Sequence, residues 1–190
     1  MGNSLAAAEI EFFLRRLAEQ YGKPATLYLL GGGGLCLLGS PRRTYDIDYT
    51  LDESSDKAQE LLTTIEALAD EMGLELEEVP LEEFIPLPED AHTRHQWIGK
   101  FGSLNIYVYD PYSIAVSKLS RGLKSDLQDV IFLLREKMIN LNELAKHIKA
   151  AFPEAWKFDI DPADLRLYFN EMLRMYAASL PPSNEAPKSE

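Results

Sequence analysis

Little in this chain supports disulfide, thiol or zinc chemistry. One cysteine, Cys36, and three histidines, His92, His95 and His147, are spread over 190 residues. A lone cysteine cannot form an internal disulfide framework, and the histidines lack zinc-ligand spacing. Cys36 lies in the apolar run Leu35 to Leu38, where a buried structural thiol is expected. No apolar stretch reaches the roughly 20 residues that a membrane span needs. Met1 to Arg16 holds no basic region followed by a long apolar block, so a secretory signal is not expected and a cytoplasmic protein is the default expectation. Cations are scarce as well: 19 Lys and Arg against 31 Asp and Glu leave a net charge of −12. That balance argues against broad phosphate-led binding to nucleic acid, while leaving room for a local basic site. Neither a Walker-type Gly-Lys-Ser/Thr nor a Ser-His-Asp arrangement is present.

What is there reads as a soluble globule, 46% hydrophobic and 26% charged, long enough for one full core. Ser4 is placed to cap a helix running to Tyr21, with Ile10, Phe13, Leu14 and Leu17 on its apolar face. Thr26 to Leu30 suits a buried strand that enters a tight loop of four glycines, Gly31 to Gly34, and Leu35 to Leu38 a short helix after them. From Thr44 to Leu51 the chain alternates: Tyr45, Ile47, Tyr49 and Leu51 face one way, Asp46 and Asp48 the other. A helix from Ser55 to Met72 stops at Gly73, and Leu74 to Val79 reads as a strand. Pro80 to Thr93 reads mostly as loop. Arg94 to Phe101 and Leu104 to Tyr109 read as antiparallel strands around Gly102-Ser103. Pro111 opens a helix, Ser125 with Gln128 suggests a capping box for the next, and two more helices follow. The expected class is therefore α/β: a mixed core over 1–110, a helical region over 111–180 packed on it, and a disordered Pro-, Ser- and Glu-rich tail over 181–190.

Two aspartates two residues apart on a strand project from one face, about 6.6 Å apart at the Cα atoms. That spacing lets both carboxylates reach the same divalent ion, and Mg²⁺ prefers carboxylate and phosphate oxygens. In an acidic chain such a pair can also be a plain solvated face. The glycine run upstream changes the weighting, since glycines let backbone N–H groups approach a phosphate closely.

Gly31-Gly32, Gly39, Arg43, Thr44, Asp46, Ile47 and Asp48 together resemble the signature of the DNA polymerase beta-like nucleotidyltransferase superfamily. The fuller run from Leu30 to Asp48 is similar to a bacterial subgroup related to type IV abortive-infection (AbiEii-like) toxins. Asp110-Pro111, Ile114, Lys118, Arg121, Asp126 and Asp129 resemble that subgroup's later motif. The resemblance spans about Thr26 to Leu134, with Asp52 to Trp97 poorly matched. It implies Mg²⁺ (or Mn²⁺) on Asp46 and Asp48, and a nucleoside triphosphate held by Gly31, Gly32, Arg43, Thr44, Lys118 and Arg121. It implies that Asp126 or Asp129 orients Lys118 or the acceptor. It also implies an RNA end such as tRNA, or a protein hydroxyl, as acceptor. A cognate antitoxin or a second copy of the chain is an expected partner.

Plainer readings stand beside these. Lys118 can be a solvated helix lysine, Asp126 can serve only the helix dipole, and Asp129 can pair with Arg121 or Lys124. The superfamily's third acid is matched here to Asn105, an amide without charge, with Asp110 as a substitute. On that alignment the site is a weak catalyst or a binding module acting through a partner. Tyr107 and Tyr109 are expected to share the open face with the metal site, able to stack a base or simply to cover the sheet. His95 is expected on ordinary strand surface.

Overall fold

The computed structural model describes residues 4–51 and 56–180. The expected tail 181–190, and the start of the third helix at Ser55, lie outside the described residues.

Helix α1 (Ala7–Tyr21) buries Ile10, Phe13, Leu14, Leu17 and Tyr21, the apolar face that its spacing predicts. It starts two residues later than expected. The Glu9 carboxylate accepts the Ala6 backbone N–H at 2.8 Å, and the Ser4 hydroxyl is taken instead by Arg43 Nε at 2.8 Å. Strand β1 (Ala25–Leu29) follows.

The four glycines do not form a loop. They make up the first half of helix α2 (Gly31–Leu37), which lies hard against the sheet. A Cβ on Gly34 would stand 3.1 Å from the Leu29 carbonyl oxygen and 3.2 Å from Val108 Cγ1. Close backbone approach outweighs the poor helix propensity of glycine here. Cys36 is buried on this helix, and burial pushes its thiol pKa up, as an inert structural thiol requires.

Strand β2 (Asp46–Leu51) buries Ile47 and Tyr49. Tyr45 precedes the strand and is 64% exposed, contrary to the alternation reading. Helix α3 (Asp56–Met72) and strand β3 (Glu75–Glu78) lead to a segment with two 3-10 turns, Leu81–Glu83 and Ala91–Arg94. That segment is no featureless loop, because Leu81, Ile85 and Ala91 are buried. It links β3 to β4 (Gln96–Phe101), which turns into β5 (Leu104–Val108).

The sheet order is β3-β2-β1-β5-β4. β1 is antiparallel to β2 and parallel to β5; β2 is parallel to β3, and β4 antiparallel to β5. One face carries Leu27, Leu29, Ile47, Tyr49, Leu104 and Ile106, all buried in a core shared with α1 and α3. The other face carries Tyr28, Asp46, Asp48, Thr50, Trp97, Asn105 and Tyr107, each half-buried or exposed. Burying two dense apolar layers on one side leaves the opposite face for chemistry.

Helices α4 (Pro111–Arg121), α5 (Lys124–Arg135), α6 (Leu141–Ala151) and α7 (Pro162–Ser179) form a second core with Leu30 and Val108. Asp110, Asn140 and Asp161 cap α4, α6 and α7 with their side chains. Helix α5 starts after Leu123 without a side-chain cap, so the expected Ser125–Gln128 capping box is not formed. The architecture is a mixed α/β sheet flanked by helices, with a helical C-terminal half.

Candidate active site

The site collects where β1, β5 and the antiparallel β2 meet at one end of the sheet. Asp46 and Asp48 share the open face of β2. The Thr44 hydroxyl donates to Asp46 Oδ1 at 2.8 Å and so orients that carboxylate. Asp48 sits directly against Gly31: a Cβ built on that glycine would lie 1.7 Å from Asp48 Oδ2. Gly31 has φ +54°, which a side chain disfavours. Gly32 packs against Thr44 in the same way, its Cβ position 2.6 Å from Thr44 Oγ1.

Burial raises the Asp48 pKa to about 6, and the negative charges of Asp46 and Glu77 add to the rise, opposed by Arg121 and Lys118. Glu77 was not singled out from the sequence. It lies on β3, in register with Asp48, and lines the same cavity. The signal that could have found it is the parallel pairing of two neighbouring acidic strands, which no local pattern in Leu74 to Val79 reveals. Asn105 does not occupy a third-acid position: it lies on β5, separated from β2 by the whole of β1, and pairs with Thr26. Asp110 is no substitute. It is fully buried, holds Arg94 through two hydrogen bonds of 2.8 and 2.9 Å, and caps α4 through Tyr112 and Ser113.

A cavity of about 450 Å³ opens beside Asp48. Its lining includes the charged side chains of Asp48, Glu77, Lys118, Arg121 and Asp159, together with Gly31. Apolar lining comes from Val79, Leu81, Phe84, Ile85, Phe158 and Ile160. Lys118 is buried rather than solvated. Its Nζ lies 2.6 Å from Asp129 and 3.3 Å from Asp126. Arg121 forks onto Asp126 at 2.9 and 3.1 Å, and Arg42 Nη1 binds Asp129. Asp126 and Asp129, both buried, therefore hold Lys118 and Arg121 in place at the cavity wall. Asp129 takes Arg42 and Lys118 as partners, neither Arg121 nor Lys124.

The structure does not bring every expected residue to the cavity. Arg43 points to the N-terminal segment, onto Ser4 and within 3.8 Å of Glu9. Asp46, Thr44 and Gly32 are not among the residues that line the cavity, and Asp46 stands beside it, two residues along the strand from Asp48. Among the described residues no three His, Cys, Asp or Glu side chains are grouped to hold one ion. Two adjacent carboxylates still suit Mg²⁺, which commonly takes one or two from the protein and the rest from phosphate and water.

The family described as a nucleotidyltransferase of unknown function (DUF6036) matches residues 9–172, so the chain belongs to that family. The solved structure of an antigenic nucleotidyltransferase-like protein from Paracoccidioides brasiliensis aligns at 17% identity over 86% of this chain and 95% of that one. The TM-score of that alignment is 0.49. No curated protein matches the chain. No helix among the described residues is long and apolar enough to cross a membrane.

Proposed function

We propose that this member of the nucleotidyltransferase family transfers a nucleoside monophosphate from a triphosphate to an acceptor hydroxyl, with a divalent cation on Asp46 and Asp48. The observation that carries the reading is the cavity itself. Its lining combines the charged groups of Asp48, Glu77, Lys118 and Arg121 with apolar side chains from Val79, Leu81, Phe84, Ile85, Phe158 and Ile160. A triphosphate needs the first for its charge, and a nucleobase can use the second.

In the proposed reaction the acceptor oxygen bonds to the α-phosphorus while the bond from that phosphorus to the bridging oxygen breaks. Pyrophosphate leaves and the hydroxyl proton passes to solvent. The cation, when bound, would neutralise the charge of the phosphates. Lys118 and Arg121 orient the polyphosphate, and Asp126 and Asp129 keep both cationic groups in position. Gly31 lets Asp48 lie flush beside the helix start.

A type IV toxin-like role, with a cognate antitoxin as partner, belongs to the same proposal and rests on the motif resemblance. The rival reading of a weak binding module drew on Asn105 as the third-acid match; the sheet order removes that support.

The test is incubation of the protein with labelled triphosphates, Mg²⁺ or Mn²⁺ and total RNA. Transfer is expected with the native chain and abolished in Asp46→Asn and Asp48→Asn, with circular dichroism unchanged. Equal transfer by the double variant sinks the mechanism.

A further inference from the structure

On the open face of the sheet, five aromatic rings form a continuous row. Trp97 and Tyr107 meet edge-on, with ring centres 4.9 Å apart and 63° between planes, and Tyr107 and Tyr28 stack at 5.6 Å with 30° between planes. His95 then lies 4.6 Å from Tyr28 and 4.5 Å from Tyr109. The row crosses β4, β5 and β1 and stops beside β2. Tyr28 pairs there with Thr50, one step along the same face from Asp48. Diagonal neighbours of this kind are roughly 7 Å apart. The outer end is accessible, with Trp97 53% exposed.

Aromatic residues that merely close a core are buried, as Phe13 is here. Trp97, Tyr107 and Tyr28 are instead exposed or half-buried, on a face whose other strand members are the Thr26 and Thr50 hydroxyls, the Asn105 amide, Lys100 and the carboxylates of Asp46, Asp48, Glu75 and Glu77, with no aliphatic residue to suit a protein's apolar patch. Successive planar rings at stacking distance fit successive bases of a single strand, since every base offers a π face. Lys100 is the one cation the described strands place on this face. Binding led by phosphate contacts is thus disfavoured, whereas binding led by stacking is not.

We propose that this row docks the acceptor: a single-stranded nucleic acid whose terminal bases stack on Trp97, Tyr107 and Tyr28, which delivers its 3′ hydroxyl to Asp46 and Asp48. The inference rests on the nucleotidyl-transfer reading and names its acceptor class. The competing surface is a groove of about 810 Å³ that contains Arg42, Arg43 and Arg135. Each of those guanidinium groups already has a structural partner: Asp129, Ser4 and the Ser179 carbonyl respectively.

The test uses the full chain with Trp156→Phe, which leaves Trp97 as the sole tryptophan. Short single-stranded RNA and DNA of matched sequence are titrated while Trp97 emission is followed. Saturable quenching by either is expected, with a slope of log affinity on log salt of about −1 or shallower. Trp97→Ala and Tyr107→Ala should each weaken binding about tenfold, Trp97→Phe should retain most of it, and Glu60→Ala, at an exposed pair on α3, should leave it unchanged. No quenching by either strand, or affinity that falls steeply with salt and is lost on Arg42→Ala and Arg43→Ala instead, overturns the docking row. So does quenching by a protein fraction alone. Calorimetry of Mg²⁺ with triphosphate on the native chain, beside the oligonucleotide titration, separates the two claims. Triphosphate bound without oligonucleotide removes only the row. Oligonucleotide bound on the row without any triphosphate removes the transfer reading instead.

Discussion

The Asp48 carboxylate rests on the Cα of Gly31, so close that a Cβ at that position would fall 1.7 Å from Asp48 Oδ2. Helix α2 and strand β2 are locked together at that contact, and the acidic site depends on the missing side chain.

Gly31→Ala is therefore expected to damage both stability and the site. The φ of +54° alone costs a substituted residue about 1–2 kcal/mol. The clash then forces Asp48 to rotate or the helix to shift. Urea unfolding should show a loss of about 2 kcal/mol or more. Calorimetry on the variant should show no binding of triphosphate with Mg²⁺. A variant as stable as the native chain, with binding intact, would contradict this contact.

Asp48 also sets a pH dependence in the metal-free protein. Burial and the charges of Asp46 and Glu77 raise its pKa from 3.8 to about 6, so the native state holds this proton more tightly than the unfolded chain does. Its contribution to stability is then fully present below about pH 4 and lost as the pH rises to about 6. Asp48→Asn removes the penalty and should stabilise the metal-free chain at pH 7.5 by on the order of 1–3 kcal/mol. The measurement is the difference between native and variant urea midpoints at several pH values with chelator present. A difference that is flat with pH rules out the shift.

Glu77 and Asn105 offer a direct comparison. Glu77 is in register with Asp48 and lines its cavity, whereas Asn105 lies on a strand beyond β1. Glu77→Gln is expected to weaken the binding of Mg²⁺ with triphosphate several-fold, through the lost negative charge. Asn105→Asp should leave that binding near native. The opposite ranking by calorimetry would restore Asn105 to the metal site.

The buried ion network should matter far more than exposed pairs. Asp129→Ala takes a partner from both Lys118, which is 3% exposed, and Arg42. Lys118 then keeps only the longer 3.3 Å contact with Asp126, and weakening the pairing of a buried charge in this way costs about 3 kcal/mol. Glu60→Ala breaks the exposed pair with Lys23 and should change the unfolding midpoint very little. Equal effects of the two substitutions would show that the network is solvated.

Much of the fold was legible in local pattern. The apolar spacing of α1, the alternation around Ile47 and Tyr49, and the Asp110-Pro111 start of α4 each act through a few neighbouring residues. The misreadings also share a cause. Four glycines look like a loop because glycine is a poor helix former, and only the Leu29 and Val108 contacts of Gly34 show why a helix was needed there. Ser4 and Ser125 look like caps, yet Arg43 claims the first, and α5 starts one residue before the second.

The sequence alone determined that Asp46 and Asp48 share one side of a strand, because alternation is a property of the extended backbone itself. It could not determine which strand runs beside them. Sheet order is set by the long-range burial of Leu27, Leu29, Ile47 and Ile106 under α1 and α3, contacts far apart along the chain. That burial placed Glu77 next to Asp48 and left Asn105 beyond β1. It also brought Tyr28 and Trp97 onto the open face of the aspartates, beside Tyr107, which alternation along its own strand already places there.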